Sequence, residues 1–203
     1  SPIRNINALI NLLDENSGIQ HYKLIFYKLK NLPKNLNETN NDLMETLKVK
    51  TDTDIPRVEI RFKEIFDKVI QSLEGELIQR SASITFDFND APKIYYSKAY
   101  LESIFQNLLS NALKYSSPKR KPEIRVTTTT IETGVELRVQ DNGLGIDLAK
   151  HGSKLFGLHK TFHNHQDAKG VGLFLVKTQV EALGGTITAE SEIDAGTVFI
   201  IKF

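Results

Sequence analysis

The 203-residue chain contains no cysteine, which excludes disulfides, thiol chemistry and Cys-ligated zinc. It has no excess of charge of either sign. Lys and Arg number 26 against 25 Asp and Glu, a formal charge of +1, which gives no support for nucleic acid as the ligand. No run approaches the ~18 apolar residues of a membrane span, and no signal-peptide pattern opens the chain. No membrane contact is therefore expected of these residues. The sequence opens on Ser1, close to an apolar helical pattern, and is expected to be a piece of something longer. A cytoplasmic setting is expected, with membrane attachment of the parent left open. What is present is ordinary globular composition, with 40% hydrophobic and 25% charged residues, and length for one or two domains with a sizeable core.

Two helices are expected first. Ile3, Ile6, Ile10 and Leu13 fall at helical spacing, and ENSG at 15–18 is a turn. From Gln20 the series Tyr22, Ile25, Leu29, Leu32, Leu36, Thr39 and Leu43 steps by three and four, a coiled-coil-like seam that Pro33 kinks or breaks. An antiparallel helical hairpin over 1–50 follows, and its uncovered seam points to a homodimer with a four-helix bundle. The polar stretch 51–57, containing TDTDIP, is the linker. Residues 58–203 then mix strands and helices. VEIRF, ITFDF and Ile94 to Tyr96 alternate as strands, and Phe62, Ile65, Phe66, Val69 and Leu73 form a helical stripe. A second helix, capped by Ser97, carries Leu101, Ile104, Phe105, Leu108, Leu109, Ala112 and Leu113. Hairpins are expected around Glu132-Thr133-Gly134 and at the C-terminus, with a helix over 169–183 that stops at Gly184-Gly185. The sum is an α+β fold, a mixed and mostly antiparallel sheet with its helices on one face.

Four stretches carry chemistry: FQNLLSNALKYS, DNGLG, KLFGLHKTFH and AKGVGLFLVK. In the first, Asn107, Asn111 and Lys114 share one helical face at i, i+4 and i+7. That face is either solvated or holds a phosphate-bound magnesium ion, since hard cations take oxygen ligands. In the second, Asn142-Gly143 is a strong turn signal, and Asp141 alternatively ends a strand so that its carboxylate meets a ligand. In the last, Gly170-Val171-Gly172-Leu173 opens a helix, which serves either an anion or close helix–sheet packing. Taken in order, the four would together enclose a nucleotide. His159, His163 and His165 admit a metal-cluster reading through their spacing, but they sit in a segment without periodicity, where a mobile lid is the plainer account.

The four stretches resemble the asparagine box, first glycine box, phenylalanine box and second glycine box of sensor histidine kinases, within the Bergerat ATP-binding superfamily. Ser1-Pro2 also resembles the end of a histidine box, which would put the phosphorylated histidine four residues before Ser1. The resemblance implies the Bergerat sandwich and ATP and Mg2+ as ligands. It implies transfer of the γ-phosphoryl group to that histidine, for relay to an aspartate of a response-regulator receiver domain. On this resemblance Asn111 coordinates magnesium with Asn107 beside it, Lys114 contacts phosphates and Tyr115 packs near the nucleotide. Asp141 accepts from the adenine amino group, Gly143 and Gly145 let backbone lie against the base, and Ile146 is an apolar wall. Phe156 and the segment to Lys169 form a lid. Amides of Gly170, Val171, Gly172 and Leu173 cradle the phosphates, and Thr197 sits by the adenine.

The sequence departs from the family at Ala168, where a glycine is common, and at His159 and Thr161, where many members carry Phe and Arg. The arginine's phosphate contact is not carried over, and Lys160 is its possible substitute. ATP-hydrolysing members resemble Glu-x-x-x-Asn, with the glutamate as general base; here Asn107 holds that position and cannot take a proton. A kinase is therefore favoured over an ATPase of the same superfamily; a nucleotide-binding module without transfer activity, suggested by the altered lid, is the other alternative. No catalytic residue is assigned within these residues beyond support from Asn107 and Lys114, and the chain is not expected to phosphorylate itself.

Overall fold

The structure, a computed structural model, describes residues 55–158 and 171–203. The expected helical hairpin at 1–50 and most of the linker lie outside the described residues. So do Lys160, Thr161, Ala168, Gly170 and the three spaced histidines.

Strand β1, Val58–Arg61, leads directly into helix α1, Phe62–Arg80. Strand β2, Ser83–Asp87, and strand β3, Lys93–Tyr96, precede helix α2, Lys98–Lys114. Strands β4, Glu123–Ile131, and β5, Gly134–Asp141, form the expected hairpin. A one-turn helix α3, Leu148–His151, and a short 3-10 turn, Gly152–Lys154, follow. Helix α4, Gly172–Ala182, and strands β6, Thr186–Glu192, and β7, Gly196–Lys202, close the chain.

β1 and β3 pair as a small antiparallel sheet, and the main sheet runs β2-β4-β5-β7-β6. Only β2 with β4 is parallel in that sheet; β4–β5, β5–β7 and β6–β7 are antiparallel. Parallel neighbours cannot be joined by a tight hairpin and need a long crossover, usually helical. The crossover between β2 and β4 contains β3 and α2, so the asparagine helix is part of the topology that joins the sheet.

Alternation decides which face of the sheet is covered. Ile124, Val126, Leu137, Val139 and Ile201 are buried, while Arg125, Arg138 and Gln140 between them are exposed. On the covered face lie the apolar stripes of α1 and α2, with Val176 and Val180 of α4. Phe105 is fully buried, with its ring edge-on to Phe62 at 6.5 Å and to Phe66 at 5.8 Å between centroids. The expected α+β layering is what the structure has.

One expectation is corrected here. Ser97 does mark the start of α2 with extended backbone, but its hydroxyl makes no capping hydrogen bond. The residue is buried in the junction between β3 and α2, and its carbonyl accepts the first helical bond from Leu101 N–H at 3.0 Å. The expected stop of α4 is observed: Gly184 N–H returns to Glu181 O, and Gly185 N–H to Val180 O.

The aromatic contact between α1 and α2 sets one expectation. Phe105→Ala should cost about 3–5 kcal/mol of unfolding free energy, the usual range for emptying a buried Phe site, measured by urea denaturation.

Candidate functional site

The loop after Asp141 lies against the end of α2, and α2 in turn touches the start of α4. β5 is the central strand of the main sheet, and its last residue, Asp141, pairs with Ile124 on one side and Thr197 on the other. The side chain is thereby fixed at a strand end and half-buried. Its Oδ1 accepts the Gly143 N–H at 2.8 Å. Burial pushes this carboxyl up to about 6, against the pull of the Gly143 and Thr197 amides and the positive charge of Arg120. The shift is that of a carboxylate kept away from water with few donors, a common property of groups that meet ligands.

The backbone after Asp141 does not form a hairpin. Leu144 N–H donates to Tyr115 O at 2.9 Å, which lays the loop on the C-terminal end of α2. Gly145 has φ +67°, and a Cβ there would overlap Glu192 O, so only glycine lets this loop pass against β6. Ile146 N–H donates to Ser191 Oγ at 2.8 Å, and the Ile146 side chain packs against the core. Ser191 Oγ is also 2.9 Å from Thr197 Oγ1, so the buried Thr197 hydroxyl belongs to the network that holds the loop.

On α2, Asn107, Asn111, Lys114 and Tyr115 are all half-buried, beside the fully buried stripe. Asn107 Nδ2 donates to Ser103 O at 2.9 Å, which turns its Oδ1 away from its own helix. That oxygen faces Gly172, the first residue of α4: a Cβ on Gly172 would lie 2.5 Å from it. The asparagine helix and the glycine helix start therefore touch through an amide oxygen and a missing side chain. The Asn111 carboxamide makes no hydrogen bond to another described residue. Lys114 Nζ lies 5.6 Å from the Tyr115 ring centroid.

At the start of α4, Val171 is fully buried and its carbonyl accepts from Leu175 N–H at 2.9 Å. The amides of Gly172, Leu173 and the following residue precede the first helical bond, as at any helix N-terminus. Leu173 packs partly against the core. Before the undescribed segment, Leu155 is buried in the core and Phe156 packs against it half-buried.

Several residues at this site had no clear signal in the sequence. The sequence marks Asn142 only as a turn residue, yet its Oδ1 accepts from Glu123 N–H and its Nδ2 donates to Lys121 O. Arg120 lies in the basic loop between Pro118 and Pro122, and its guanidinium donates to the carbonyls of Asn142, Gly143 and Asp194. Gln179 occupies the buried side of α4, where periodicity calls for an apolar residue. Its Nε2 donates to Ser103 Oγ at 3.0 Å, while its Oε1 has no partner among the described residues. No group of three or more His, Cys, Asp or Glu side chains placed to hold a metal ion occurs among the described residues.

Residues 97–203 match the family described as histidine kinase-, DNA gyrase B-, and HSP90-like ATPase. The sensor protein RprX of Bacteroides fragilis is 32% identical over 149 residues, which is 70% of this chain and 28% of that protein. The sensor protein kinase WalK of Staphylococcus aureus is 28% identical over 169 residues, 79% of this chain and 40% of that protein. The chain spans less than half the length of either relative. Histidine kinase AdeS of Acinetobacter baumannii shares the fold with a TM-score of 0.73 at 20% identity, covering 100% of this chain and 94% of that one. Full-length ShkA, solved in complex with AMPPNP, gives a TM-score of 0.72 at 18% identity, covering 98% of this chain and 42% of that one. The chain belongs to the histidine kinase-, DNA gyrase B- and HSP90-like ATPase family, as a domain of the sensor histidine kinase kind.

The raised Asp141 carboxyl gives a pH dependence with a definite sign. A nucleotide held through its adenine amino group on Asp141 would need the ionised acceptor, so a proton bound there would compete with it. Affinity for adenine nucleotides should fall as pH drops below about 6, toward tenfold per pH unit, because the protonated fraction grows by that factor. Binding isotherms between pH 5 and 8 should show this slope in the wild type, and Asp141→Asn should lack it.

Proposed function

We propose that this chain binds Mg-ATP at the end of the main sheet and transfers the γ-phosphoryl group to a histidine. From there the phosphoryl group passes to an aspartate on a response-regulator receiver domain. The observation that carries this proposal is the series of contacts from the Asp141 loop to the end of α2, and from Asn107 of α2 to the Gly172 helix start. Asp141 supplies an acceptor for the base, the asparagine face of α2 oxygen ligands, and the helix start open backbone amides. In the proposed complex, Asp141 takes the adenine amino group, Gly143, Gly145 and Ile146 line the base, and Thr197 sits beside it. Gly170, Val171, Gly172 and Leu173 offer amides to the phosphates, Lys114 offers charge, and Tyr115 packs near the nucleotide. Phe156 and Lys160 belong to the covering segment.

The residues fit a magnesium ion as far as donor chemistry goes. Asn111 has a carboxamide oxygen committed to no other described residue, a hard donor of the kind this ion takes. The bound ion would supply neutralisation of phosphate charge. Asn107 bears on reaction type. Its Nδ2 is occupied by Ser103, and its oxygen is an amide oxygen, which cannot take a proton from water at neutral pH. That disfavours hydrolysis and favours transfer to a nucleophile that arrives with its own base. In the transfer, the bond from the γ-phosphorus to the bridging oxygen breaks and a phosphorus–nitrogen bond forms. ADP leaves with that oxygen, and the imidazole proton passes to a base carried beside the histidine. Positioning and charge neutralisation then supply the rate.

The division into a helical hairpin at 1–50, a linker at 51–57 and a catalytic domain at 58–203 belongs to the same proposal. A homodimer of the parent and a cytoplasmic setting belong to it as well. Mixing the protein with a phosphoacceptor hairpin and γ-labelled Mg-ATP should give an acid-labile, base-stable phosphohistidine. Nucleotide binding without label on the hairpin would leave a binding module. Steady phosphate release without any acceptor would make the chain a hydrolase. Asp141→Asn should weaken ATP binding by between about tenfold and a hundredfold, the worth of a hydrogen bond to a charged group. Isothermal titration would measure it, and unchanged affinity would remove Asp141 from the site.

A further inference from the structure

Arg120 is a half-buried guanidinium that touches no substrate group in the proposed complex, yet it gathers three backbone carbonyls from two separate segments. Nε donates to Asn142 O, and Nη2 donates to both Gly143 O, at 2.6 Å, and Asp194 O. Its basic neighbours do not share this role. Lys121 is exposed, and the Lys119–Asp194 ion pair, at 3.4 Å with both side chains largely in water, contributes little.

We propose that Arg120 sets the base selectivity of the nucleotide pocket by fixing the two peptide planes that follow Asp141. This rests on the reading of Asp141 as the adenine contact. In a trans peptide the C=O and the next N–H point in opposite directions. Holding Asn142 O on the guanidinium therefore sends Gly143 N–H the other way, and there it meets Asp141 Oδ1 at 2.8 Å. Holding Gly143 O likewise sends Leu144 N–H away, and there it meets Tyr115 O at 2.9 Å. One side chain thus orients both donors. The third bond, to Asp194 O, ties this loop to the β6–β7 turn, whose Asp194 N–H returns to Leu144 O at 2.8 Å.

The fork geometry matters. Arginine presents donors in a fixed plane and can serve three carbonyls together, whereas a lysine ammonium is a point charge on a flexible stem. Without the clamp the Asn142 carbonyl loses its donor, the 142–143 peptide plane is held only by the Gly143 N–H bond to Asp141, and its carbonyl can turn to face the carboxylate. The Asp141 carboxylate would lose its amide and the nearby cation together. Both favour the ionised form, which accepts an amino group and repels a 6-oxo group. A 6-amino purine should therefore depend on Arg120, and a 6-oxo purine should not.

The experiment compares ATP with inosine triphosphate, which differs at that position, on the wild type, Arg120→Gln and Arg120→Lys by isothermal titration with Mg2+ at pH 7.5. ATP affinity should fall about tenfold in Arg120→Gln while inosine triphosphate changes by less than about threefold, a loss near that of one hydrogen bond to a charged group. Arg120→Lys should not restore the ratio. Equal losses for the two nucleotides, no loss for either, or full rescue by lysine would each overturn the proposal. Should the variants not fold, hydrogen exchange on the wild type decides. Gly143 and Leu144 amides protected in the nucleotide-free protein would support the clamp, and unprotected amides would overturn it. If Asp141→Asn loses affinity and Arg120→Gln does not, this inference alone fails. If Asp141→Asn binds ATP as the wild type does, the reading of the pocket fails.

Discussion

The Asp141 end of the main sheet depends on one bond, from Gly143 N–H to the carboxylate of Asp141. A carboxylate at the end of a central strand is shielded by strands on both sides, and water that would solvate it at an edge is partly displaced. The amide compensates for some of that loss and selects one orientation of the side chain. Most of the surrounding architecture serves to put this amide in place. The end of α2 receives the following amide, the Ser191 hydroxyl holds Ile146, and the β6–β7 turn backs the loop through Asp194 and Leu144.

Much of the fold was legible because it is periodic. Alternation along β4 and β5, and the three- and four-residue spacing of the stripes on α1 and α2, each specify an element and its buried face. What alternation cannot encode is direction. The pattern in β2 reads the same whether its neighbour runs parallel or antiparallel, and the parallel pairing with β4 follows only from the crossover. Ser97 shows another limit. The residue type suits a cap, but its hydroxyl forms no bond to the first turn, and the boundary is set by backbone alone.

At the site, Asp141, the asparagines and the glycines were legible because several unusual residues cluster in a fixed order. Arg120 was not, since a basic residue between two prolines reads as solvated loop until the carbonyls it gathers are known. Gln179 was hidden for the opposite reason, sitting inside a stripe where its neighbours Leu175, Val176 and Val180 are apolar. Its buried amide joins α4 to Ser103 on α2 and leaves Oε1 without a partner among the described residues. An orphaned acceptor of this kind lowers stability. It lies on the same short chain of contacts that orients Asn107 against Gly172. Lys160, Gly170 and the helical hairpin expected at 1–50 lie outside the described residues.

Helix α2 is at once the crossover that permits a parallel pair and the carrier of the asparagine face. Its two duties fall on adjoining faces of one cylinder. Leu101, Ile104, Phe105, Leu108 and Leu109 belong to the core, while Asn107, Asn111 and Lys114 lie at its margin. The sheet requires that a helix be there, and it constrains the inward side chains of that helix. The polar groups along the edge are constrained by α4, through Asn107 against Gly172, and not by the sheet. A lineage could therefore vary the polar groups along that edge while inheriting the sheet and its crossover.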